Sequence, residues 1–207
     1  MTGDKSAIIP RELQEALEQR KCFFLVGAGI SVDKPTNLPT TDALRTYIAE
    51  WVFERSDCIR AHWNGDLTAF EHWCSAIPLE FFLAPLPTAA QEAFLKFFNV
   101  HRPNFFHTFL AHALSNGIPV VAANVDTLIE QSCGNWLRTI SGTDDFAREY
   151  LKMGGSSNHY LRVLFKLRGS LEERDSVTSS LHDLDTAQGG LPEPKKNMLG
   201  SLSRTER

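Results

Sequence analysis

The chain has 207 residues, 43% of them hydrophobic, with 14 Phe, 4 Trp and a formal net charge of −4. That length suits one domain with a tail, and the apolar fraction is enough for a real core. The slightly acidic balance argues against nucleic acid or an anionic membrane surface as the main partner. No apolar run approaches the roughly 20 residues that a bilayer-spanning helix needs.

The first residues lack the basic-then-apolar plan of a secretory signal, which places the protein in the cytoplasm. Cys22, Cys58, Cys74 and Cys133 form no C-x-x-C pair. They therefore read as buried small hydrophobes, and no metal site is expected.

Pro10 opens the first helix, over RELQEALEQR, where its missing N–H costs little. CFFLV, residues 22–26, is a short apolar run stopped by Gly27-Ala28-Gly29, as in a buried parallel strand. Thr41 or Asp42 can cap the next helix, with Leu44, Tyr47, Ile48, Trp51 and Val52 on one face. Residues 56–88 show no clean period and read as a helical insertion beside the sheet. Thr88 to Gln91 matches a capping box ahead of EAFLKFF. Asn104 can cap FFHTFLAHAL, which Asn116-Gly117 would end in a left-handed turn. IPVVAA, residues 118–123, is a second buried strand, followed by Asn124-Val125-Asp126 and another helix. Residues 134–158 read as a loop region. LRVLFKL, residues 161–167, is a third strand ending in Arg168-Gly169-Ser170. From Leu171 the chain turns polar and is expected to be a disordered tail over 171–207. The paired Phe residues 81–82, 97–98 and 105–106 read as core.

Helix, strand, polar turn and helix in succession indicate an α/β fold: a Rossmann-like parallel sheet flanked by helices. In such sheets ligands sit beyond the carboxyl ends of the strands. Glycines after a strand let backbone approach a phosphate, and their N–H groups can form an anion nest. The same GAGIS stretch also fits a plain strand-to-helix turn. Asn124 can hold a ribose hydroxyl or a water and Asp126 can stabilise positive charge, but an Asx turn with a helix cap explains both equally well.

The ordered set GAGIS, Leu38-Pro39-Thr40, an H-x-x-L-A helix, ANVDTLIE and LRGS resembles the sirtuin family. More narrowly, it is similar to the zinc-less bacterial sirtuin-like domains associated with NAD hydrolysis and antiphage defence. The resemblance spans about residues 20–170 and implies an incomplete NAD-binding domain over 1–170. It implies that Gly27, Ala28, Gly29 and Ser31 contact the phosphates and ribose of NAD, and that Pro39 lies in the cofactor loop. Gly169 and Ser170 would line the opposite wall. Asn124 would orient the nicotinamide ribose or the attacking water, with Asp126 beside it.

The implied reaction is NAD+ hydrolysis by cleavage of the nicotinamide–ribose bond. Arg168 stands at the family's histidine position, and a guanidinium does not accept a proton at neutral pH. The family's later strands have no counterpart, Ala122-Ala123 replaces paired threonines, and Asn37 replaces a loop glycine. These departures imply impaired chemistry. They raise the alternative of a non-catalytic nucleotide sensor or interaction module; an NAD-dependent protein deacylase ranks third. His107 reads as a packed, hydrogen-bonded core residue, His112 does not share its face, and His159 is a remote substitute base. Whether the chain self-associates into a homo-oligomer stays open.

Overall fold

The computed structural model describes residues 10–77, 79, 82, 87–152, 162–171, 173, 177 and 191–204. Expectations for Pro78, Phe81, Pro85, Gly154, Gly155, His159 and most of the stretch 171–190 lie outside these residues.

Among the described residues, four strands form one all-parallel sheet in the order β1-β2-β4-β3. They are β1 Phe24–Val26, β2 Val120–Ala122, β3 Arg138–Ile140 and β4 Val163–Lys166. The register pairs Phe24 with Val120, Val120 with Leu164, and Arg138 with Val163.

The helices are α1 Arg11–Glu18, α2 Thr41–Arg55, α3 Asp57–His62, α4 Leu67–Ser75 and α5 Thr88–Leu95. They continue with α6 Phe105–Ser115, α7 Leu128–Cys133, α8 Thr143–Lys152 and α9 Glu193–Arg204. This is the expected α/β fold, a Rossmann-like sheet flanked by helices.

Side chains alternate across a strand, so β2 and β4 each feed two cores. Val120, Ala122 and Leu164 pack against Leu110, Ala111 and Leu114 of α6 and Ile129 and Cys133 of α7. Val121, Ile140, Val163 and Phe165 pack against Phe146 of α8 and Met198 and Leu202 of α9. A sheet covered on both faces needs continuous apolar strands, and β2 and β4 are buried at every position. The helical insertion expected over residues 56–88 contains α3 and α4, which pack with α2 around a core of Ala49, Phe53, Phe70 and Cys74.

Several expectations need correction. Residues 134–158 are not all loop. They contain β3 and α8, whose strand is only three residues long and whose helix is mostly polar, with Phe146 and Glu149 as its buried residues. The polar tail is not disordered throughout: residues 193–204 form α9, with Lys195 and Met198 fully buried and Leu202 nearly so. Its few large apolar residues sit three and four apart, so they make one stripe that docks on a sheet face instead of a core of their own.

On α2 the inward residues are Leu44, Ala49 and Phe53, while Tyr47 is 64% and Trp51 50% exposed. Phe105, Phe106 and Phe109 also face outward, because the phase set by the Asn104 cap turns His107, Leu110, Ala111 and Leu114 into the core. Thr40, not Thr41 or Asp42, caps α2, accepting from Ala43 N at 3.1 Å. Thr88 lies inside α5, whose cap position is Pro87 with no side-chain bond. Gly117 has φ +81°, the left-handed end expected after α6.

Candidate functional site

The carboxyl ends of β1, β2 and β4 lie side by side. Ala123 N donates to Val26 O at 2.8 Å and Leu167 N to Ala122 O at 2.9 Å, carrying the ladder one residue past the paired strands. The three polar stretches singled out in the sequence therefore meet at one rim of the sheet.

Gly27 is extended at φ −133° and ψ −167°, and Ala28–Ser31 forms a single 3-10 turn. Ile30 N donates to Gly27 O at 3.2 Å. The N–H groups of Ala28 and Gly29 precede that bond and have no backbone partner among the described residues. Neither Gly27 nor Gly29 has a left-handed backbone, and a Cβ built on either meets nothing within 4 Å. The fold itself leaves room for a side chain at both positions, so neither glycine is required by local crowding.

Ser31 is 2% exposed and is the hub of a buried polar network. Its Oγ lies 3.1 Å from His107 Nε2, donates to Asp126 Oδ2 at 3.1 Å, and accepts from Asn124 Nδ2 at 3.1 Å. Asn124 Nδ2 also donates to Asp126 Oδ2 at 3.2 Å.

The donor roles follow from chemistry. His107 Nδ1 accepts from Asn104 N at 3.0 Å, so the neutral ring carries its hydrogen on Nε2. Nε2–H then donates to Ser31, whose two lone pairs and one proton are all used. Burial pushes the His107 pKa down; Asp126 pulls it the other way and Lys166 adds to the fall. A neutral imidazole presenting N–H to the hydroxyl cannot take its proton, so Ser31 and His107 are not a nucleophile–base pair.

Asp126 also accepts from Leu128 N at 3.2 Å through Oδ1, an Asx turn that starts α7. The Asx turn expected at Asn124-Val125-Asp126 is present, and the Asn–Asp pair also joins the hub. A carboxylate only accepts, which fixes the amide orientation of Asn124. Its Nδ2 faces Asp126, and its Oδ1 has no hydrogen-bond partner among the described residues.

The stretch after β1 is tied down rather than loose. Leu38 N donates to Ser31 O at 2.9 Å, Thr36 Oγ1 to Arg102 O at 2.6 Å, and Asn104 Nδ2 to Ile30 O at 2.8 Å and Asp33 O at 3.2 Å. Pro39 is half-buried at its end. Asn37 has φ +53°, a left-handed conformation that Asn tolerates better than most residues.

At the β4 end, Gly169 has φ +84° and is required by its own turn. Arg168 is half-buried, and burial lowers the pKa of its guanidinium. Ser170 is 1% exposed and donates to Glu130 Oε1 at 3.3 Å, so its hydroxyl faces into the protein.

Beneath this rim lies an ion pair that sequence reasoning missed. Lys166 Nζ is 3.1 Å from Glu130 Oε1 and also donates to the backbone carbonyl of Asp126. Burial raises the Glu130 pKa; Lys166 opposes the rise. The available signal was a lysine inside the apolar run LRVLFKL.

No family model and no curated protein matches the chain. Among the described residues, no group of three His, Cys, Asp or Glu is placed to hold a metal ion. Among them, too, no helix is long and apolar enough to cross a membrane.

Proposed function

We propose that this chain is a sirtuin-like NAD-binding domain of the NAD+ hydrolase type, with chemistry weakened by Arg168. One observation carries the reading: Ser31, Asn124 and Asp126, from two different strand ends, share one hydrogen-bonded hub beside the open Gly27–Gly29 turn. That turn offers a diphosphate the N–H groups of Ala28 and Gly29, which have no backbone partner among the described residues. Asn124 Oδ1 is the hub's available acceptor, suited to a ribose hydroxyl or a water. Breaking the nicotinamide–ribose bond builds positive charge on the ribose, and Asp126 supplies a fixed negative charge nearby. Both Asp126 oxygens are engaged, so it acts through the field it sets up and not as a base.

The second reading is a non-catalytic nucleotide sensor. It is favoured by the absence of a base among the described residues of the rim: Arg168 is a guanidinium and His107 is held in the wrong tautomer. A deacylase role, an antiphage role, a cytoplasmic location and self-association rest on the resemblance or the sequence alone.

The test is to incubate purified protein with NAD, measure nicotinamide release, and measure binding by calorimetry. Release that Asn124→Ala abolishes supports hydrolysis, and saturable binding without release supports the sensor. Arg168→His should raise release if the rest of the site is intact. Absence of both binding and release would refute the NAD reading.

A further inference from the structure

Glu130 and Lys166 form a charge pair in a place where stability alone does not call for one. Lys166 is the last residue of β4 and is fully buried, where the strand pattern calls for an apolar side chain. Its ammonium meets Glu130 Oε1 at 3.1 Å. Ser170 Oγ donates to that same oxygen at 3.3 Å, and Glu130 Oε2 has no hydrogen-bond partner among the described residues. A half-satisfied buried carboxylate is a poor way to stabilise a core, and a well-packed apolar pair commonly does as well or better.

What the pair does do is join two loops. Lys166 Nζ donates to the carbonyl of Asp126, on the turn that follows β2. Glu130, one helical turn beyond Asp126, holds Ser170 on the loop that follows β4. A backbone bond from Leu171 N to Val125 O at 3.1 Å completes the connection. The Asn124–Asp126 turn is thus tied by buried groups to the end of β4 and to the loop that follows it.

We propose that Glu130 and Lys166 are positioning residues: a buried clasp that sets the Asn124–Asp126 turn against the Gly169–Ser170 loop and thereby aims Asn124 and Asp126 at the ligand. The functional half of this inference rests on the NAD reading above; the clasp itself does not.

The experiment uses the full chain and three proteins: wild type, Glu130→Gln, and the double variant Glu130→Leu/Lys166→Met. The single change leaves Lys166 buried with a weakened partner and is expected to lower stability. The double change removes both charges and is expected to restore the midpoint of urea unfolding.

With stability restored, the clasp still predicts that amide hydrogen exchange speeds up at least tenfold at Leu128 and Leu171, whose N–H groups bond Asp126 and Val125. Leu110, in the middle of α6, and Leu114, in its last turn, should be unchanged. If wild type releases nicotinamide, kcat in the double variant should fall at least tenfold. Wild-type protection at Leu128 and Leu171 in a stably folded double variant would overturn the clasp, and full turnover would overturn its positioning role. Should wild type neither bind nor cleave NAD, the functional reading falls alone, and hydrogen exchange still decides the clasp. If the double variant does not fold, Lys166→Met alone is measured by the same exchange at those two amides.

Discussion

Replacing Ser31 with Ala isolates the hub with little change in shape. Ser31 is 2% exposed, and its hydroxyl makes three contacts of 3.1 Å, to His107, Asn124 and Asp126. After the change Asn124 Nδ2 keeps Asp126 at 3.2 Å, and Asp126 keeps both Asn124 and Leu128 N. His107 is different. It is fully buried, its Nδ1 is committed to Asn104 N, and its Nε2–H loses its acceptor. One orphaned buried donor costs about 1–3 kcal/mol. For a chain of this size each kcal/mol moves Tm by roughly 2–4 °C, so a loss near the middle of that range lowers Tm by about 4–8 °C. Urea unfolding followed by circular dichroism should show a lower midpoint with an unchanged slope. A loss under about 0.5 kcal/mol, the scale of an ordinary surface substitution, would show that Ser31 is not the acceptor for His107.

Three further outcomes follow from the packing and charge. Met198→Ala should cost about 2–5 kcal/mol, because Met198 is fully buried between α9 and the sheet; a loss below about 1 kcal/mol in urea unfolding would mean that α9 is not docked. Hydrogen bonding from Arg138, at 2.9 and 2.5 Å, holds the Glu149 carboxyl below its ordinary pKa. A lowered acid stabilises the fold above its unfolded pKa of about 4.3, and that contribution disappears as pH falls through the folded value. Arg138→Met should therefore be destabilising at pH 7, with the difference from wild type shrinking below about pH 4; a constant difference across that range contradicts the pairing. Burial pushes the Cys133 thiol up to about 12, so it should resist a thiol reagent in the native state while exposed Cys58 reacts at once. Mass spectrometry of labelled peptides, with and without denaturant, reads the order directly.

The parallel sheet was legible because CFFLV, IPVVAA and the strand before Arg168 are apolar runs that stop at glycine or small polar residues. The hub was partly legible. Gly27, Ser31, Asn124 and Asp126 stand at strand ends in the sequence, and their residue types suit a polar rim. Which atoms they share was not, since Ser31 and Asp126 meet only through β1–β2 pairing across the fold. His107 reads as a packed histidine, and so it is, but its contact with Ser31 depends on the capping box at Asn104 that fixes its ring. Lys166 left a signal as a lysine inside an apolar strand run, but its partner Glu130 looks like an ordinary surface charge until β4 and α7 are stacked. The segments β3 and α9 failed for a different reason: both take their stability from neighbours, and neither carries enough apolar signal of its own. Tyr47, Trp51 and Phe105 mislead in the opposite direction, being large and apolar yet exposed.

The register Phe24 with Val120 joins residues nearly a hundred positions apart. A growing chain therefore exposes Cys22–Val26 on the ribosome long before its ladder partner exists. At synthesis rates of about 5–20 residues per second, that interval lasts on the order of 5–20 s. Helices α2 to α4 have their own small core and can assemble meanwhile, while the sheet must wait for long-range closure, the slow kind of contact to form. Any fragment that stops short of Val120 leaves its first strand as an orphaned apolar segment, open to pairing with other chains.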